Sequence, residues 1–99
     1  MRTAVLAVVV LLAGCGGADA DEATIQLAKD AYAEAKAAGI DMSQGPCLGV
    51  IKENWVVDVA HDPREDVDDQ PENQCEAYRS GEVDHFVELT PEGEFIRSG

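Results

Sequence analysis

The side chains with chemical potential lie between Cys47 and His85 and fall into three sets. Cys47, His61, Cys75 and His85 have the residue types of a tetrahedral zinc site. Their successive spacings are all ten residues or more, whereas structural zinc sites usually draw ligands from close sequence pairs, so the spacing argues against a metal. C-x-x-C and C-x-x-C-H are both absent, which removes the usual dithiol redox and covalent haem readings. The second set is His61, Arg64, Asn73, Gln74 and His85. If His61 ends one strand and His85 begins an antiparallel neighbour, both rings reach one sheet edge. Arg64 and the two amides then ring that edge as donors for a small anionic ligand or a peptide backbone, with a cation as the other candidate ligand of that end. The plain alternative gives Arg64 to Glu65 or Asp68, the amides to turns, and the histidines to ordinary strand ends. The third set is the acidic run from Asp62 to Glu76, seven carboxylates against Arg64 alone. Calcium prefers about six to eight oxygen ligands. Read as an EF-hand loop from Asp66, however, the run has Pro71 where Gly belongs and Ala77 where the bidentate Glu belongs, so it reads as a solvated loop. A nucleophile elbow, a phosphate-binding Gly-rich loop and H-E-x-x-H are all missing. Neither an enzyme, a cofactor nor a metal is therefore expected.

The elements that must position these groups come from a short chain of 99 residues, enough for one small domain. Its start, Met1-Arg2 followed by T-A-V-L-A-V-V-V-L-L, has a positive end and an apolar core of about ten to twelve residues, followed by small residues. That run is too short to cross a hydrocarbon layer of roughly 30 Å and reads as a signal peptide. Leu12-Ala13-Gly14-Cys15 closes it, and these residues resemble the lipobox of bacterial lipoproteins. The resemblance covers residues 1–15. It implies that the chain is cut before Cys15, that the Cys15 sulfur is lipidated and that the new amino end is acylated. Several acyl chains, each buried methylene adding about 0.8 kcal/mol, give stable membrane anchoring. Gly16 stands where many lipoproteins retained in an inner membrane have Asp. The expected location is thus the outer membrane of a two-membrane cell, or otherwise the outer face of the plasma membrane.

On this reading residues 1–14 are removed, 15–20 form a lipidated tether and 21–99 form a single domain. Loss of Arg2 leaves six basic residues against 20 acidic ones, so the formal charge moves from −13 to −14. Such a surface repels nucleic acid, and it favours a basic protein partner or cations.

Within the domain, Ile25, Ala28, Ala31, Tyr32, Ala35 and Ala38 recur at helical spacing, predicting an amphipathic helix over 21–38 with Gly39 at its C-terminal cap. Leu48 to Ala60 reads as a strand, bent or bulged near Glu53-Asn54. Asp62-Pro63-Arg64-Glu65 reads as a capping box opening one helical turn, and Pro71 to Ser80 as a second helix. Asp84–Leu89 and Glu94–Arg97 read as a hairpin turning through Thr90-Pro91-Glu92-Gly93. The expected fold is α+β: the long helix packed on a three-stranded, mainly antiparallel sheet, with a short second helix and a C-terminal β-hairpin.

The lipid takes Cys15, and export places Cys47 and Cys75 in an oxidising compartment, so a disulfide between those two is the expected staple of a thin core. Trp55 is expected to pack beside it. The function these readings favour is a non-catalytic, lipid-anchored protein-interaction module. The alternative is a binder of a small anionic ligand or cation at the His61, Arg64, His85 end of the sheet.

Overall fold

The computed structural model describes residues 19–99; the expected signal peptide and the expected lipidation site, Cys15, lie outside the described residues. Helix α1 (Glu22–Ala37) begins where Asp21 accepts hydrogen bonds from the Thr24 backbone N–H and hydroxyl, at 2.8 and 2.7 Å. These two donors hold the Asp21 carboxyl below the ordinary range. The helix ends as expected at Gly39, which takes a left-handed φ of 90°, and the Ile40 N–H reaches back to the Ala35 carbonyl. Thr24, Ala28 and Tyr32 form its buried stripe, and the small alanine lets the helix lie close to the sheet.

The sheet has four strands in the order β1 (Cys47–Lys52), β2 (Trp55–Val59), β3 (His85–Leu89) and β4 (Phe95–Ser98). β1 and β2 are antiparallel, as are β3 and β4, whereas the central pair β2 and β3 is parallel. The α+β class stands, and the three-stranded, mainly antiparallel sheet is corrected to a four-stranded mixed one. The apolar run Leu48–Ala60 is a hairpin rather than one bent strand. It turns at Glu53-Asn54, where Asn54 adopts the left-handed φ of 71° that asparagine tolerates better than most residues. The parallel pair follows because residues 60–84 carry the chain from the end of β2 back to the start of β3, a long crossover of the kind parallel strands require.

That crossover covers the sheet face opposite α1. Val57, Val59, Val87 and Leu89 pack with Ala28, Tyr32 and Met42 on the helix side. Val56, Cys75 and Val83 pack with Cys47, Ala77 and Phe86 on the other. Both central strands are thus covered on two faces, which is why they read as nearly unbroken apolar runs. Within the crossover, the helical turn expected at Asp62–Glu65 falls three residues later. The Asp62–Pro63 peptide is cis, and Glu65 caps a 3-10 helix, Asp66–Asp69, with the reciprocal Glu65 and Asp68 bonds of a capping box. The helix expected over Pro71–Ser80 is divided into a 3-10 turn, Pro71–Asn73, and the four-residue α2 (Glu76–Arg79). Between them Gln74 is extended, with ψ 155°, and Cys75 swings in to the sheet.

The C-terminal hairpin forms as expected. Tyr32 of α1 locks it by donating its hydroxyl to the Pro91 carbonyl at 2.7 Å, and Gly93, with φ 91°, lies against the tyrosine ring. A methyl group at Gly93 would come within 2.8 Å of that ring. Gly93→Ala combines this crowding with left-handed backbone strain and is expected to cost about 1 to 3 kcal/mol in denaturant unfolding.

Candidate functional site

Cys47 and Cys75 are joined as a disulfide across a sequence separation of 28. The bridge ties the start of edge strand β1 to the crossover, and it lies in the cluster with Val56 and Phe86. Trp55 does not pack beside it. Alternation along β2 places Trp55 on the α1 side with Val57 and Val59, and its ring stacks on His85 at 4.7 Å between centroids.

The two histidines are separated as well. Because β2 and β3 run parallel, Trp55 is the register partner of His85 at one end of the sheet, while His61 follows Ala60 at the other end beside Leu89. The shared sheet edge expected for His61 and His85 rested on antiparallel neighbours and does not form. The four residues of the zinc alternative consequently do not converge: two are in the disulfide and two lie at opposite ends. No group of three or more His, Cys, Asp or Glu side chains among the described residues is arranged to hold a metal ion.

His61 instead joins Asp68, the buried acid of the crossover. Asp68 accepts from the backbone N–H groups of His61 and Glu65, both at 2.9 Å, and its Oδ1 is 3.0 Å from the His61 Nδ1. Burial alone would raise this carboxyl; the two N–H donors and the imidazole hold it below the ordinary range. Asn73 donates to the Val67 carbonyl and closes the same loop. Of the five candidate ligand-binding residues, His61, Asn73 and His85 therefore make contacts internal to the fold. His61 and Arg64 do share a pocket of about 320 Å³ with Asp62, Glu65 and Thr90, without His85, while Arg64 and Gln74 come together at another.

That pocket, about 350 Å³, lies between the crossover and the second sheet face, with Val56, Phe86, Tyr78 and Cys75 supplying its apolar wall. Its polar groups are Asp58 and Glu88 from the sheet, and Arg64, Gln74 and Arg79 from the crossover. Asp58 and Glu88 are register partners on the two central strands, and Cys47 is the register partner of Asp58 on its other side. Asp58 is thus flanked by a disulfide and by a second carboxylate.

The two carboxyl groups meet opposite fates. Glu88, 6% exposed, is gripped by Arg64 through Nη1 at 2.8 Å and by Arg97 at its other oxygen. Arg64 is itself taken up by Asp69, at 3.0 Å, and by the Asp68 carbonyl. The Oδ1 of Asp58 is buried and has no hydrogen-bond partner. Burial, and next the charge of Glu88, push the Asp58 carboxyl up to about 8. Paired carboxyl groups are a familiar acid and base pattern. Here both oxygens of Glu88 are held by arginine, which makes it a fixed counter-charge rather than a free base or nucleophile. The carboxyl oxygen of this pair left without a partner is Asp58 Oδ1.

Asp58 and Glu88 were not among the residues singled out from sequence. A signal was present: each is a lone acid inside an apolar strand, in W-V-V-D-V-A and in F-V-E-L. No protein-family model, curated protein or solved structure matches the chain. The reading of the site rests on its geometry.

Proposed function

We propose that this protein is a lipid-anchored envelope domain acting as a non-catalytic interaction module, with the pocket under the crossover as its binding site and a basic protein as its partner. The observation that carries the reading is the Asp58 carboxyl in that pocket, whose buried Oδ1 has no hydrogen-bond partner. A buried carboxyl oxygen without a partner costs folding free energy, and a ligand supplying the missing partner recovers it. Two sequence features support the rest. The acidic excess attracts basic partners and speeds their approach at low ionic strength. The Leu12–Cys15 resemblance supports membrane anchoring.

Two experiments test this reading. Cys15→Ser is expected to release the protein from the membrane fraction or leave it unprocessed; unchanged fractionation and mass would contradict anchoring. For binding, Gln74→Trp puts a bulky ring into the pocket lining, with the fold of the variant checked by its unfolding transition. Capture of a basic envelope protein by the purified protein is expected to weaken with added salt and to be lost in Gln74→Trp. Capture unaffected by both salt and the plug would remove the pocket from the function.

A further inference from the structure

The charges around the pocket cancel in pairs except for one. Glu88 is matched by Arg64 and Arg97, Asp69 takes the second side of Arg64, and Arg79 leans on Glu76 at 3.7 Å. Those three arginines and three acids sum to zero. Asp58 makes no ion pair, although the Arg64 charge acts on it, and its buried Oδ1 has no hydrogen-bond partner. We infer that the pocket receives an ammonium group carried on an alkyl chain, with Asp58 as its counter-ion and the Val56, Phe86 and Tyr78 wall as the bed for the chain.

The other ligand classes fit less well. An anion meets two adjacent carboxyl groups; the Arg64 donors are engaged by Glu88, Asp69 and the Asp68 carbonyl, and Arg79, which also lines the pocket, is shared with Glu76 at 3.7 Å. A neutral apolar ligand fills the wall and leaves the Asp58 oxygen buried without a partner. A hard metal ion requires about six oxygen ligands where one free carboxyl is offered. An alkylammonium satisfies each feature together. Its N–H groups donate to Asp58 in a charge-assisted bond. Its methylenes lie on Val56 and Phe86, and the rings of Tyr78 and Phe86, edge to face at 5.3 Å, add the attraction of aromatic rings for cations.

Binding and proton release are coupled in this site. In the empty pocket Asp58 carries a proton up to about pH 8, because burial and Glu88 disfavour its charge. The groups facing it are Glu88 from β3, Arg64 and Asp68 from the crossover and Arg79 from α2, with the disulfide on the β1 side. An arriving ammonium displaces that proton to solvent, so the positive charge in the pocket is exchanged rather than added. Apparent affinity therefore rises about tenfold per pH unit up to pH 8 and then levels.

The ammonium can belong to a free amine or to a lysine side chain of the partner, and this inference rests on the pocket being the binding site of the module. The test is calorimetric titration of the purified protein with n-pentylamine, with Nα-acetyl-lysine methylamide, and with pentanol and pentanoate as neutral and anionic controls. Both amines are expected to bind at pH 8, to weaken at least tenfold at pH 6, to release about one proton at pH 7, and to lose binding in Asp58→Asn. Tighter binding of the lysine derivative assigns the site to a protein partner; tighter binding of pentylamine assigns it to a free amine. Equal binding by Asp58→Asn, pH-independent binding, or preference for pentanoate overturns the inference. So does absence of amine binding. In that case capture of a basic protein that Gln74→Trp still abolishes keeps the module reading, and capture insensitive to the plug removes both.

Discussion

Asp58→Asn is expected to stabilise the protein at pH 8.5 by on the order of 2 to 5 kcal/mol and to leave its stability near pH 4 unchanged. The folded-state carboxyl stands at about 8 against an ordinary value of 3.8. Between those values the folded chain keeps a proton that the unfolded chain has lost. Stability therefore falls as pH rises through that window, by up to about 1.36 kcal/mol per unit, and the loss is complete above about pH 8. Four units set the upper end of the range; relaxation and water at the open mouth of the pocket set the lower. Asparagine has the shape of the protonated acid and no charge to lose, so the variant lacks this slope. Asp68, whose carboxyl is lowered, contributes the opposite slope at acid pH, but it is common to both proteins and cancels in the difference. Urea unfolding of both proteins from pH 4 to 9 makes the comparison. Parallel stability curves would show that Asp58 is an ordinary solvated carboxylate.

The second large effect is expected from opening the disulfide. Cys47→Ala with Cys75→Ala removes a cross-link that closes a 28-residue separation, and the chain-entropy relation assigns roughly 3 to 4 kcal/mol to a loop of that length. Domains of this size have a total stability near the lower end of about 5 to 15 kcal/mol, so most of it is at stake. The loss has a local side as well. The bridge forms the wall of the pocket next to Asp58, so the crossover is expected to loosen there and Asp58 to titrate closer to its ordinary value. The emission of Trp55 in still-folded variant is expected to be unchanged, because Trp55 lies on the α1 side of the sheet. A change in stability below about 1 kcal/mol, or a red shift of Trp55 in the folded variant, would contradict this placement.

The local signals in the chain were sufficient for α1, its Gly39 cap, the C-terminal hairpin and the cysteine pair, because each depends on residues within a few positions or, for the cysteines, on elimination. The path of the chain between β2 and β3 was not readable from periodicity. Whether His85 pairs parallel or antiparallel with the strand before it depends on how residues 60–84 travel, and the crossover contains no long helix to announce itself. That single ambiguity accounts for the separated histidines. The fold also determines which side of β2 faces the disulfide. Cys75 leaves the helical path at Gln74 and reaches the Val56 side, so Trp55, one residue away along β2, points to the opposite face. Asp58 and Glu88 were hidden for a related reason: an acid in an apolar strand is a visible anomaly, but its partner on the neighbouring strand is fixed only by register. Arg64 and Gln74 were found from type alone, and the structure gives them a different neighbourhood from the one their spacing implied.

The central claim is that the pocket holds an orphaned carboxyl, and the direct measurement is the pH titration of the Asp58 side-chain carbon by NMR in the purified protein. The account predicts a midpoint near 8 in the ligand-free protein. A midpoint close to the ordinary 3.8 would mean that Asp58 already has solvent or a partner, and that the pocket has no unmet charge to offer a ligand.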